Sequence, residues 1–124
     1  MVERDRFLSG EVVVVTLVNG SGTILVHHGP EAIAWAERRG EEGWERVETT
    51  CGLPHCLVDI GPPSPLPPRS LLPLAWPLRI HPGGQADPVA AGPGTWRLAV
   101  RYRHPERTDW DLVRTVPFTI VPTP

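Results

Sequence analysis

Cys51 and Cys56 enclose Gly52-Leu53-Pro54-His55, the densest concentration of reactive side chains in the sequence. Four intervening residues that include Gly and Pro can turn the backbone back and bring the two Cα atoms within the roughly 4.4–6.8 Å that a disulfide spans. The expectation is a structural disulfide between Cys51 and Cys56. Closing so small a loop contributes about 2 kcal/mol in the chain-entropy description. Reduced thiols, or a soft metal site, are the alternatives. Cys51, His55 and Cys56 would offer two thiolates and an imidazole, a donor set suited to Cu(I) or Zn(II). A fourth ligand would have to come from His27, His28, His81 or His104, none of which has a spacing that demands it, so no metal is expected. The C-x4-C spacing, flanked by loop and proline, also differs from the C-x-x-C that opens a helix in thiol oxidoreductases.

No other arrangement supports catalysis. The four serines, Ser9, Ser21, Ser64 and Ser70, lie outside any G-x-S-x-G elbow. The carboxylate pairs Glu41-Glu42 and Asp109/Asp111 fall in turn-like segments, where solvated charge is the ordinary reading. Gly20 and Gly22 read as turn glycines and not as a phosphate cradle. A chain that is not an enzyme and carries no cofactor is expected.

Recognition chemistry is better represented. Five tryptophans, Trp35, Trp44, Trp76, Trp96 and Trp110, accompany twelve basic residues, all of them arginine. Most of the tryptophans are expected in the core. Arg97, Arg101 and Arg103 share one side of an alternating strand, and a Trp exposed beside them would mark a protein-binding face, since Trp and Arg dominate interface hot spots. With fourteen acidic residues the net charge is −2, which makes no electrostatic case for nucleic acid. The longest apolar run, Val12 to Val15, is strand-sized, far short of the ~20 residues that cross a bilayer.

The elements that would carry these side chains read as strands. Sixteen prolines and twelve glycines in 124 residues leave little room for long helices. Glu11 to Val18 is β-branched and ends at Asn19-Gly20-Ser21-Gly22, a turn signal, so Thr23 to His28 is expected as its hairpin partner. Glu31 to Arg39 and Trp44 to Thr49 predict a second hairpin, with a short helix over the first segment as the alternative. Gly61 to Pro68 is proline-dense and predicts an ordered crossing between sheets. Leu71 to Ile80 contains Pro73 and Pro77 and predicts an edge or interrupted strand. Thr95 to Arg103 alternates cleanly, with Trp96, Leu98, Val100 and Tyr102 on one face. Trp110 to Val121 is expected to close the sheet with Trp110, Leu112, Val116, Phe118 and Ile120 inward. Residues 1–124 are expected to form one all-β domain, an immunoglobulin-like two-sheet antiparallel sandwich of about seven strands.

Pro93-Gly94-Thr95-Trp96-Arg97-Leu98 resembles the P-G-x-Y-R-hydrophobic start of a late strand in bacterial immunoglobulin-like domains. The N-G-S-G of residues 19–22, the G-W-E-R-V of 43–47 and the closing P-F-T-I of 117–120 are similar to the wider frame of such domains. The resemblance implies a small secreted or envelope module. More distantly, it extends to the intracellular proteinase inhibitor family. Trp96 stands where Tyr is usual, so a corner hydrogen bond made elsewhere by a phenol would here depend on an indole N–H.

These readings predict a structural or protein-binding module, exported or displayed on a surface. A periplasmic copper- or zinc-binding domain using Cys51, His55 and Cys56 is the first alternative, and a proteinase inhibitor presenting residues 61 to 70 is the second. The opening Met1-Val-Glu-Arg-Asp-Arg has no apolar core of a signal peptide. An extracytoplasmic location is expected if the disulfide forms, and a cytoplasmic one otherwise.

Overall fold

The computed structural model describes residues 6–8, 10–50 and 63–122. Among them there is no α-helix, and the regular structure is strand with short 3-10 turns. The strands are β1 (Arg6–Leu8), β2 (Val13–Val18), β3 (Leu25–His27), β4 (Ile33–Gly40), β5 (Gly43–Val47) and β6 (Ser64–Leu66). They continue with β7 (Leu71–Trp76), β8 (Arg79–Ile80), β9 (Val89–Ala90), β10 (Gly94–Tyr102), β11 (Asp111–Arg114) and β12 (Phe118–Val121). The largest sheet runs β1-β12-β10-β4-β5, with β11 also on β10; β2-β7, β3-β6 and β8-β9 form separate pairs. The protein is thus all-β with several sheets, an arrangement consistent with a sandwich.

The interior is one apolar cluster fed from both sides. Val13 and Val15 of β2 with Leu74 and Trp76 of β7 meet Trp96, Leu98 and Val100 of β10, Phe118 and Ile120 of β12, and Phe7 of β1. The period of two explains each contribution, because alternate residues share a face. Phe7 and Phe118 meet edge to face at 5.5 Å between centroids. Trp96, 1 % exposed, donates its indole N–H to the Gly92 carbonyl at 2.9 Å. The indole thus bonds backbone four residues upstream.

The second expected hairpin is present: β4 and β5 pair from Ala36↔Val47 to Gly40↔Gly43 around Glu41-Glu42. Gly43 has φ 121°, a backbone conformation that favours glycine. The first expected hairpin is not formed. β2 pairs with β7 and β3 with β6, while Val26 also bridges Arg103 at the end of β10. The Asn19-Gly20-Ser21-Gly22 segment is a bulge that carries the chain onward along one long ribbon. Asn19 decides this. Only 1 % exposed, it donates from Nδ2 to the Thr23 carbonyl at 2.9 Å and to the Leu66 carbonyl at 2.8 Å. Its Oδ1 accepts from the Ser21 N–H at 3.0 Å and the Ser21 hydroxyl at 2.6 Å. Its backbone pairs with the other ribbon strand, accepting from Arg69 N and donating to the Ser70 carbonyl.

β10 occupies Gly94–Tyr102, close to the expected span, and its Trp96, Leu98 and Val100 are buried as expected. Ala99, on the same face as Arg97 and Arg101, is 0 % exposed, flanked across the sheet by Trp35 and Arg114. The closing strand is two strands. β11 pairs with β10 at Ala99↔Arg114 and Val100↔Val113, whereas β12 pairs at Trp96↔Phe118. Three residues, Thr115 to Pro117, lie opposite Arg97 and Leu98, so one residue is extra and the side-chain parity reverses. Val113 shares the inner face before this bulge and Phe118 after it; Leu112 and Val116 are exposed, against expectation. Thr115 stitches the bulge, its N–H donating to the Leu98 carbonyl and its Oγ1 accepting from Leu98 N–H, both at 3.0 Å. The Leu71–Ile80 segment is interrupted as expected, between β7 and β8 at Pro77-Leu78.

Candidate functional site

The outer face of the largest sheet gathers the side chains capable of recognition. Direct cross-strand pairing sets Arg46 of β5 beside Glu37 of β4, and Glu37 beside Arg97 of β10. The same pairing sets Trp35 beside Ala99, and Ala99 beside Arg114 of β11. Because paired residues point the same way, these six form one patch. A register shift opposite Ala99/Val100 turns Trp35 outward while Ile33 stays inward.

Glu37 is the centre of the patch and only 7 % exposed. Its Oε1 accepts from Arg97 Nε at 2.6 Å and from Arg114 Nε at 2.9 Å; its Oε2 accepts from the Trp35 indole at 3.1 Å. Burial alone would raise its pKa. Hydrogen bonds from Arg114, Trp35 and Arg97, with the Arg114 charge, outweigh that and hold it at about 2, below an ordinary 4.5. The carboxylate therefore stays ionised throughout the neutral range and fixes two guanidinium groups.

Aromatic rings then fix the cations from the other side. The Arg97 guanidinium lies 4.2 Å from the Trp44 ring centroid, and that of Arg46 lies 3.9 Å from Trp35. Arg46 also pairs with Glu48 at 2.7 Å. Both contacts are within cation–π range. The result is a rigid, partly exposed lattice of alternating Trp and Arg. It offers hydrogen-bond donors and aromatic surface, with no nucleophile or general base free to act in it.

Of the three arginines singled out in the sequence, Arg97 sits inside this lattice. Arg101 follows on the same face of β10, opposite Leu112. Arg103 is turned to its own loop: Nη1 donates to the carbonyls of Pro105 and Arg107, and the guanidinium lies 5.1 Å from the Trp110 centroid. Cys51, His55 and Cys56 lie outside the described residues, so the disulfide and the metal loop fall there too. The segment from 61 to 70 is described from Pro63, and within it Ser64–Leu66 pairs with Leu25–His27 while Leu66 is buried. No group of three or more potential metal ligands occurs among the described residues. No helix among them is long and apolar enough to cross a membrane.

Glu37, Trp35, Arg46 and Arg114 are the residues that sequence reading missed as a site. Trp35 and Glu37 at a two-residue spacing, on a strand predicted beside Trp44 and Arg46, were the available signal. No family model, curated protein or solved structure matches the chain.

Proposed function

We propose that residues 1–124 form an immunoglobulin-like sandwich that acts without catalysis, as a structural module that binds another protein through the Trp–Arg face of its largest sheet. The observation that carries this reading is the pair of stacks, Arg97 on Trp44 and Arg46 on Trp35, pinned by the buried Glu37. Trp and Arg are the residues on which interface energies concentrate. Holding them rigid before association lowers the ordering cost that a partner would otherwise have to offset. The indole corner bond from Trp96 to Gly92 supports the immunoglobulin-like assignment, because it reproduces with another side chain a bond typical of that fold. In this reading the module works outside the cytoplasm, where Cys51 and Cys56 are bridged. The intact mass before and after reduction tests the bridge.

Quantitative affinity capture from the source cells tests the face, with wild type compared against Trp44→Ala and Arg46→Ala. Both positions are on the sheet's edge strand and partly exposed, so folding survives the changes. A partner retained by wild type and lost from both variants supports the proposal. An unchanged set of captured proteins refutes it.

A further inference from the structure

The inner faces of the two layers continue past the point where the core is filled. On β2 the inward series Val13, Val15 runs on to Leu17; on β10 the series Leu98, Val100 runs on to Tyr102, with Val113 of β11 beside Val100. Val113 is 43 % exposed, and Leu17 and Tyr102 are only half-buried. Between these walls lies an open groove of about 440 Å³. Two features already described line it: the Asn19–Ser21 bulge of the β2–β3 ribbon on one side, and on the other Val113 and Arg114 of β11 with Thr115 of the second bulge.

We infer that this groove binds a slender aliphatic carboxylic acid, tail inward and carboxylate at the mouth. Its volume lies in the range of small-molecule sites, roughly 300–1,000 Å³, and is too small to seat a protein interface. Packed sheets lie about 10 Å apart, less room than a helix of ~10–12 Å with its own side chains requires. The polar atoms of the Asn19 wall are already bonded to one another and to backbone, and the inner end at Val15, Leu17 and Val100 is aliphatic. At the mouth Tyr102 and His104 meet edge to face at 6.5 Å. Neither side chain has a hydrogen-bond partner among the described residues. A phenol O–H and an imidazole N–H are two donors on one rim, suited to a group that only accepts, and an ionised carboxylate is such a group.

Isothermal titration with decanoate, acetate and methyl decanoate, all below micelle-forming concentration, tests this. Decanoate binds at least about ten-fold more tightly than either of the others, because only it combines an aliphatic tail for the inner walls with a free carboxylate for the Tyr102–His104 rim. Val113→Arg places a charge in the groove from a half-exposed position and weakens decanoate by at least about ten-fold. Tyr102→Phe with His104→Ala, which removes donors and keeps the walls, reduces decanoate to the affinity of the methyl ester. Circular dichroism verifies that each variant is folded. Decanoate binding no tighter than acetate overturns the inference, as does undiminished binding by folded Val113→Arg. Equal affinity for acid and ester in wild type overturns the carboxylate assignment.

Discussion

Glu37→Gln removes one charge from the centre of the Trp–Arg lattice and leaves its shape. The native carboxylate has its pKa held at about 2 against an ordinary 4.5. At 1.36 kcal/mol per unit, a difference of that size corresponds to about 3 kcal/mol of folding stability at neutral pH. The Arg114 side chain is 41 % exposed, so water screens part of its share, and about 2 kcal/mol is the better expectation. The sign follows from the depressed pKa. The contribution is complete above the unfolded value near 4.5 and is lost as pH falls through about 2. Urea denaturation of wild type and Glu37→Gln at pH 7, 4.5, 3 and 2 measures the difference directly. It should be about 2 kcal/mol at pH 7, shrink steadily below pH 4.5 and nearly vanish at pH 2. In thermal melts the same gap is roughly 6–10 °C at neutral pH for a chain of this size. A difference that stays constant from pH 7 to 2, or that never exceeds about 0.5 kcal/mol, refutes the argument.

Other substitutions probe the backbone that carries the site. Asn19→Asp sets a carboxylate oxygen against the carbonyls of Thr23 and Leu66; chemical denaturation should show a loss of about 3–5 kcal/mol at pH 7, smaller at low pH where a protonated Asp can donate. Thr115→Val keeps the shape but leaves the Leu98 N–H without its Oγ1 acceptor, which costs about 1–3 kcal/mol and should speed amide exchange at Leu98. Trp96→Phe removes the donor to Gly92 and leaves a void in the core; denaturation should register about 2–4 kcal/mol.

How much of this was legible depended on the range of the interaction that decides each element. β10 and the β4–β5 hairpin were readable because alternation and a two-residue turn are local. The Asn19 segment misled because an Asn-Gly turn signal between two β-branched runs is the same string whether the chain reverses or bulges. The choice rests on the Leu66 carbonyl and the Arg69 N–H, far along the chain, which give Asn19 partners a hairpin would deny it. The closing strand was found but its faces were assigned with one parity throughout, since nothing local announces the extra residue at Thr115–Pro117. The site was half visible. Arg97 was singled out for its face, yet what gives it significance is Glu37, sixty residues earlier and charged where a strand predicted to pack would carry an apolar residue. A buried ion pair between distant strands leaves no spacing to read.

The parallel pairing of β1 with β12 also sets an order of events in time. Among the described residues Arg6–Leu8 finds its ladder partner in Thr119–Val121, and Phe7 finds the ring of Phe118. On a ribosome β12 is made more than a hundred residues after β1, so β1 cannot dock, and Phe7 stays without the Phe118 ring, until β12 has emerged. Closing that pair also spans a loop of more than a hundred residues, which places it among the slow contacts. A nascent chain halted before residue 118 should bind a chaperone through the Phe7 segment, and release should follow completion of β12.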